Sequence, residues 1–269
     1  MSLWLIANTV ARDAVDILVT NGSGTEASEA QSQGVDIIKG GPRSFKWTHP
    51  VEASGNRITY WSKRENLNFR FCVLVDAKRQ EGRVVRVRFY KEFFDTPVTV
   101  TERTIGSPYI GISGADYVIH HTSTLPILDA DGIMLELSGL ASESRDLRQV
   151  YFDLGLEFAK QSGGVQFERV PVWSPAVAHG GHHYKLHAIG RFTVGPMTRA
   201  VVDAYNDVPK HDPVFFYDDT GEAGYGDYLP HKLWHCVILS DDVEVDYTDG
   251  DGELLFINFE VGLLKSGSG

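Results

Sequence analysis

The sequence predicts an all-β protein of antiparallel sheets, β-sandwich or jelly-roll-like, in two tandem domains at residues 1–163 and 164–269. Three observations predict it. Apolar residues recur at every second position in many short runs, the period of a strand with one buried face. Clusters of Gly, Pro, Asp and Asn, the residues that build turns, separate those runs. Helical periodicity is scarce, so the helical crossovers that a parallel sheet needs have little sequence to come from.

The elements follow in chain order. WLIA (4–7), VDILVT (15–20) and RITYW (57–61) read as short strands. In LNFRFCVLV (67–75), Leu67, Phe69, Phe71, Val73 and Val75 share one face and Asn68, Arg70 and Cys72 the other. VVRVRFY (84–90) repeats the pattern with Val85, Val87 and Phe89, and IMLELS (133–138) is a shorter candidate. SESRDLRQ (142–149) and TRAVVDAY (198–205) are the two candidate helices. VYFDLGLEF (150–158) reads as one long strand with Val150, Phe152, Leu154, Leu156 and Phe158 aligned. HYKLHAI (183–189), FFY (215–217), KLWHCVIL (232–239), VEVDY (243–247) and LLFINFEVGLL (254–264) complete the set. The domain boundary is placed at the polar, Gly-containing stretch AKQSGGVQFE (159–168), and two loosely similar Asp-x-Asp-Gly-strand segments, at 129–137 and 249–257, support a repeat. A single large sandwich with long loops is the competing arrangement.

The 269 residues carry a formal net charge of −11, which repels phosphate backbones and anionic lipid. Nucleic acid and membrane surfaces are therefore not expected as partners, and RVVRVRFYK (83–91) reads as a solvated strand face rather than a basic patch. No apolar run is long enough to span a membrane as a helix, and the N-terminal stretch lacks the basic flank of a signal peptide, so a cytoplasmic location is expected. Two cysteines, Cys72 and Cys236, with no Cys-x-x-Cys pair, read as free buried thiols and not as a disulfide framework.

Four of the ten histidines fall within HGGHHYKLH (179–187). The Gly-Gly pair reads as a turn into a strand, across which His179 and His183 are candidate partners. With His235 from HKLWH they make the candidate metal set His179, His183 and His235, suited to zinc. A second enzymatic reading combines Tyr184, Lys185 and His187 for proton transfer on a uronate polysaccharide, as a lyase would. Strand alternation sets Tyr184 away from the other two, and the acidic chain suits a polyanion poorly. The Asp-Gly turns raise calcium, with Asp241, Asp242, Glu244, Asp246, Asp249 and Asp251 nearby. Neither turn completes an EF-hand loop: the first and twelfth places hold Tyr247 and Asn258 in one alignment, Ile127 and Ser138 in the other. Hairpin turns are the simpler reading.

No nucleophile elbow, phosphate loop or dinucleotide fingerprint occurs. The remaining feature is FFYDDTGEAGYGDYLPHKLW (215–234), where Tyr217, Tyr225, Tyr228 and Trp234 mix with Asp227 and other acids. Aromatic rings beside carboxylates suit sugar stacking or a protein interface. The sequence is therefore read as a non-enzymatic binding or assembly protein for a carbohydrate or protein partner, able to form a homo-oligomer and needing no cofactor. A His-rich sandwich enzyme, metal-dependent or a polysaccharide lyase, is the alternative.

Overall fold

The computed structural model describes residues 2–7, 14–20, 47–49, 56–62, 71–75, 84–90, 99–104, 109–110, 116–121, 132–138, 145–147, 149–159, 176–179, 182–208, 210, 212–218, 233–248 and 252–264. The chain divides into two compact units. One holds Met1–Ala7, Ile110–Ala115 and Gly155–Ser268, the other Asn8–Tyr109 and Asp116–Leu154. The boundary expected near 163 lies outside the described residues.

The first unit carries a seven-stranded sheet. Its strands are β1 (Ser2–Ile6), β13 (Leu156–Ala159), β14 (Ala176–His179), β15 (His182–Met197), β16 (Val214–Asp218), β17 (Leu233–Thr248) and β18 (Gly252–Leu264), in the order β13-β1-β16-β17-β18-β15-β14. Every pairing with a recorded register is antiparallel, as the alternating runs predict. Strand β1 comes from the extreme N-terminal part of the chain yet pairs with β13 and β16.

One face of this sheet builds the core. Leu3, Leu5, Phe158, Phe192, Val194, Val214, Phe216, Trp234, Cys236, Ile238, Leu255, Ile257, Phe259, Val261 and Leu263 converge there. Helix α1 (Arg199–Asn206) lies over them, presenting Val202 and Tyr205, three residues apart and so on one side of the helix. The helix predicted at 198–205 is thus present, beginning from the extended N-cap residue Thr198, whose carbonyl accepts from the Val201 and Val202 amides. The helix predicted at 142–149 is not: β11 (Arg145–Leu147) and β12 (Gln149–Asp153) occupy it. β11 pairs with β3 (Trp47–His49), and β12 with β5 (Phe71–Val75). Cross-strand bonds to distant segments outweigh a weak local helical preference.

The second unit holds a five-stranded sheet, β2 (Ala14–Thr20), β4 (Asn56–Ser62), β10 (Gly132–Ser138), β6 (Val84–Tyr90) and β7 (Thr99–Thr104), in that order. It also holds the β11-β3 pair and the strands β12, β5 and β9 (Asp116–His121) of a four-stranded sheet ordered β12-β5-β9-β8, in which β8 is the short strand Tyr109–Ile110. Phe71 and Val73, predicted to share the inner face of one strand, are both fully buried. Register sets Glu136 and Glu102 directly across from Arg86 on either side. Opposite charges at opposed positions are what a cross-strand pair favours.

The long strand predicted at 150–158 is broken. Val150 and Phe152 belong to β12 in the four-stranded sheet, whereas Phe158 belongs to β13 in the seven-stranded one. The break is Gly155, at φ +74°. That conformation penalises any residue with a Cβ, so Gly155→Ala is expected to lower stability by about 1–2 kcal/mol. Urea unfolding followed by tryptophan fluorescence measures it.

Candidate functional site

The aromatic and acidic segment 215–234 is anchored at both ends by sheet. β16 and β17 are adjacent and antiparallel, with Phe216 opposite Trp234 and Tyr217 opposite Leu233. Tyr217 is 6% exposed and Trp234 5%. Both therefore serve as buried strand residues, not as the open ring faces the sequence suggests. Trp234 joins the core with Phe216, and Tyr217 lies beside Trp4 of β1 in register. Asp218, the last residue of β16, is also buried and engaged by a neighbour. Tyr225, Asp227 and Tyr228 lie outside the described residues.

His235 takes the other face of β17. It is buried and stacks on Phe215 at 4.2 Å between ring centroids and 6° between planes, the two residues being register partners. His179 and His183 stand on the β14-β15 hairpin, where His179 pairs with His182, and His183 with Ala178. The strand pairing thus brings His179 beside His182, while β17, with His235, is separated from β15 by β18. Among the described residues, no group of three or more His, Cys, Asp and Glu side chains is placed to hold a metal ion.

The lyase-type trio is affected by an irregularity. Leu186 pairs with Leu264 and Ala188 with Leu263, so His187 is the extra residue of a bulge. Simple alternation sets Leu186 and Ile189 on opposite faces, yet both pack with Val237 and Leu264.

A second bulge, between Ile238 and Ser240, redirects β17. Without it Asp241 would face away from the core. With it, Asp241 stands opposite Phe259, and Val243 and Val245 pack against the core cluster. The Asp241 carboxylate accepts a hydrogen bond from Lys210 Nζ at 2.6 Å, and that ammonium sits 4.0 Å from the Tyr205 ring centroid. Four of the acids expected to border a calcium loop stand in β17. Asp241, Asp242, Glu244 and Asp246 stand within a strand, while Asp249 and Asp251 lie outside the described residues. On the outward face of the same strands, Arg191 Nε donates to Glu260 at 2.7 Å and Thr193 Oγ1 to Asn258 at 2.6 Å. Asn258 in turn donates to Glu244 at 3.2 Å.

Two buried ionisable groups of this unit stay neutral. Burial pushes the Cys236 thiol well above its usual range. Burial, followed by the Asp241 charge, pushes the Tyr205 phenol far up. Cys236 is free, as predicted, and a thiol so buried does not supply a nucleophilic thiolate. Both raised values have one consequence for stability. The unfolded chain ionises these groups above about pH 8.5 for the thiol and about 10 for the phenol, while the folded chain cannot. The unfolded state then binds fewer protons, so stability is full below those values and falls as pH rises through them. Tyr205→Phe is expected to flatten the decline above pH 10, and Cys236→Ala the part beginning near 8.5. Urea midpoints between pH 7 and 11 test both.

No family model matches this chain, and no curated protein does. Solved structures with a similar backbone course include CBM32 of AlyQ in complex with 4,5-unsaturated mannuronic acid, at 13% identity and TM-score 0.36, covering 52% of this chain and 95% of that one. A mutant of the lectin binding domain of Lectinolysin complexed with Lewis b matches at 13% and 0.35, covering 53% and 93%. CBM32-3 from a family 31 glycoside hydrolase from Clostridium perfringens matches at 12% and 0.34, covering 52% and 88%. Likenesses at these values carry nothing about the ligand of this chain. Among the described residues, no helix is long and apolar enough to cross a membrane.

Proposed function

We propose that this protein is a non-enzymatic binding protein that grips a neutral carbohydrate through the segment joining β16 to β17. The observation that carries the reading is the register at the ends of that segment. Phe216 opposite Trp234 and Tyr217 opposite Leu233 hold its two ends side by side at one end of the sheet. Between them the sequence supplies Tyr225 and Tyr228 for stacking on the apolar faces of sugar rings. Asp219, Glu222 and Asp227 supply acceptors for hydroxyl groups. Buried Tyr217 and Trp234 serve as anchors at the ends of the segment rather than as contacts. The chain's charge of −11 and the acids of the segment itself disfavour anionic glycans, hence the neutral class.

A glycan array with the full chain is the test, followed by titration of the best neutral glycan. The double variant Tyr225→Ala/Tyr228→Ala is expected to weaken binding about tenfold or more, with an unchanged urea midpoint. Absence of any glycan ligand, or wild-type affinity in the double variant, would overturn the reading. Retention of a protein partner with loss in the same variant would transfer the segment to a protein interface instead.

A further inference from the structure

We propose that the edge of β17 from Asp242 to Thr248 takes up an extended segment of a partner protein in which Lys or Arg alternates with apolar residues. β16 pairs with β17 only at Leu233–Cys236, while β17 continues to Thr248 alongside β18. Among the described residues, no strand pairs with the other edge of β17 beyond Cys236. Lys210, from the connection between α1 and β16, reaches Asp241, so the open stretch is taken from Asp242 onward. Every second residue of such an edge turns its N–H and C=O away from the sheet, which makes it a template for an added strand.

The side chains along this edge set the chemistry of the partner. Asp242 and Glu244 are exposed, and Glu244 accepts from the neutral Asn258 amide on the outward face. Among the described residues, neither carboxylate meets a cation, whereas Lys210 matches Asp241 and Arg191 matches Glu260. Val243 and Val245 face the other way, half-buried at the margin of the core. A strand laid along β17 sets its side chains opposite these in the same alternation, with Cβ atoms about 4.5–5.5 Å away. Basic residues then stand opposite Asp242 and Glu244, and apolar residues opposite Val243 and Val245, where they extend the core. A second copy of this edge would set acid against acid. The chain's own alternating basic stretch, with Arg86 and Arg88 in β6, is already paired on both sides by β10 and β7. The occupant is therefore another protein. This edge lies at the far end of β17 from Leu233, where the proposed carbohydrate segment joins the strand, and is independent of that reading.

The test titrates the full chain into a short labelled peptide that alternates Arg with Val, followed by fluorescence anisotropy. Control peptides replace Arg by Glu, or gather the same Arg and Val residues into two blocks. Only the alternating basic peptide is expected to bind. Asp242→Asn/Glu244→Gln is expected to weaken it about threefold to tenfold, the scale of two exposed ion pairs, with an unchanged urea midpoint. Asp242→Lys/Glu244→Lys is expected to abolish binding. Methylating the peptide's backbone nitrogens at one set of alternate residues removes the donors that a strand ladder needs, and is expected to abolish binding; methylating the other set is expected to cost far less. This comparison leaves the protein itself untouched and so does not depend on the fold of any variant. No binding of the alternating peptide, equal binding of the block peptide, or equal loss from the two methylated sets would each overturn the proposal. Self-association of the Asn/Gln variant with unchanged peptide affinity would also overturn it, by reducing the two acids to guards of the edge.

Discussion

Phe259→Ala is expected to lower the unfolding free energy by about 3–5 kcal/mol, the range for deleting a large aromatic from a packed core. Phe259 is 2% exposed and touches four other rings. Phe192 stacks on it at 5.2 Å, Phe216 and Tyr205 meet it edge-on at 5.2 and 5.4 Å, and Phe158 lies tilted at 5.9 Å. These neighbours come from β15, β16, α1 and β13, so one ring of β18 joins four other elements. Alanine removes the transfer energy of the ring and leaves a void whose walls are other rigid rings. Phe259→Leu retains much of the volume and is expected to cost distinctly less. Urea unfolding of both variants measures the difference. A loss below about 1 kcal/mol for alanine would mean that the ring is not central to the core.

Gly195→Ala is expected to cost about 2–4 kcal/mol, from backbone strain combined with steric overlap. Gly195 stands in β15 at φ +131°, a region that residues with a side chain avoid. A Cβ there would lie 2.7 Å from the Leu255 carbonyl oxygen and 2.8 Å from Phe256 Cδ1. The Phe256 ring can move, but the Leu255 carbonyl belongs to the neighbouring strand. Phe256→Ala in the Gly195→Ala background is therefore expected to recover only the ring's share. Full recovery would show that the ring alone was responsible and that the φ angle costs little. The same measurement on Gly155→Ala, where φ strain is the expected penalty, separates the strain from the clash.

Much of the fold was legible along the chain. Every second residue in LLFINFEVGLL is apolar, and Leu255, Ile257, Phe259, Val261 and Leu263 all enter the core together. TRAVVDAY showed its helix because Val202 and Tyr205 recur at helical spacing. What escaped were the places where a strand departs from strict alternation. KLWHCVIL and VEVDY looked like two strands and are one, β17, with a bulge at Leu239 between them. The bulge moves Asp241 to the core side, where Lys210 and Tyr205 meet it, an arrangement that no local pattern announces.

The site was less legible, for a related reason. Tyr217 and Trp234 were read with the polar segment they border, but burial depends on what covers a strand, which composition does not report. The pairing of His179 with His182 instead of His183 is a matter of register, as is the placement of His120 opposite Cys72. Alternation and turn residues fixed the strand content, the antiparallel class, the helix at 198–205 and the buried identity of most core positions, because these depend on neighbours within a few residues. Tertiary pairing settled the membership of β1 in the C-terminal sheet, the break at Gly155, the bulges at His187 and Leu239 and which histidines are register partners. Each of these is set by hydrogen bonds and packing between segments far apart in the chain, and such bonds leave no periodic trace in either segment.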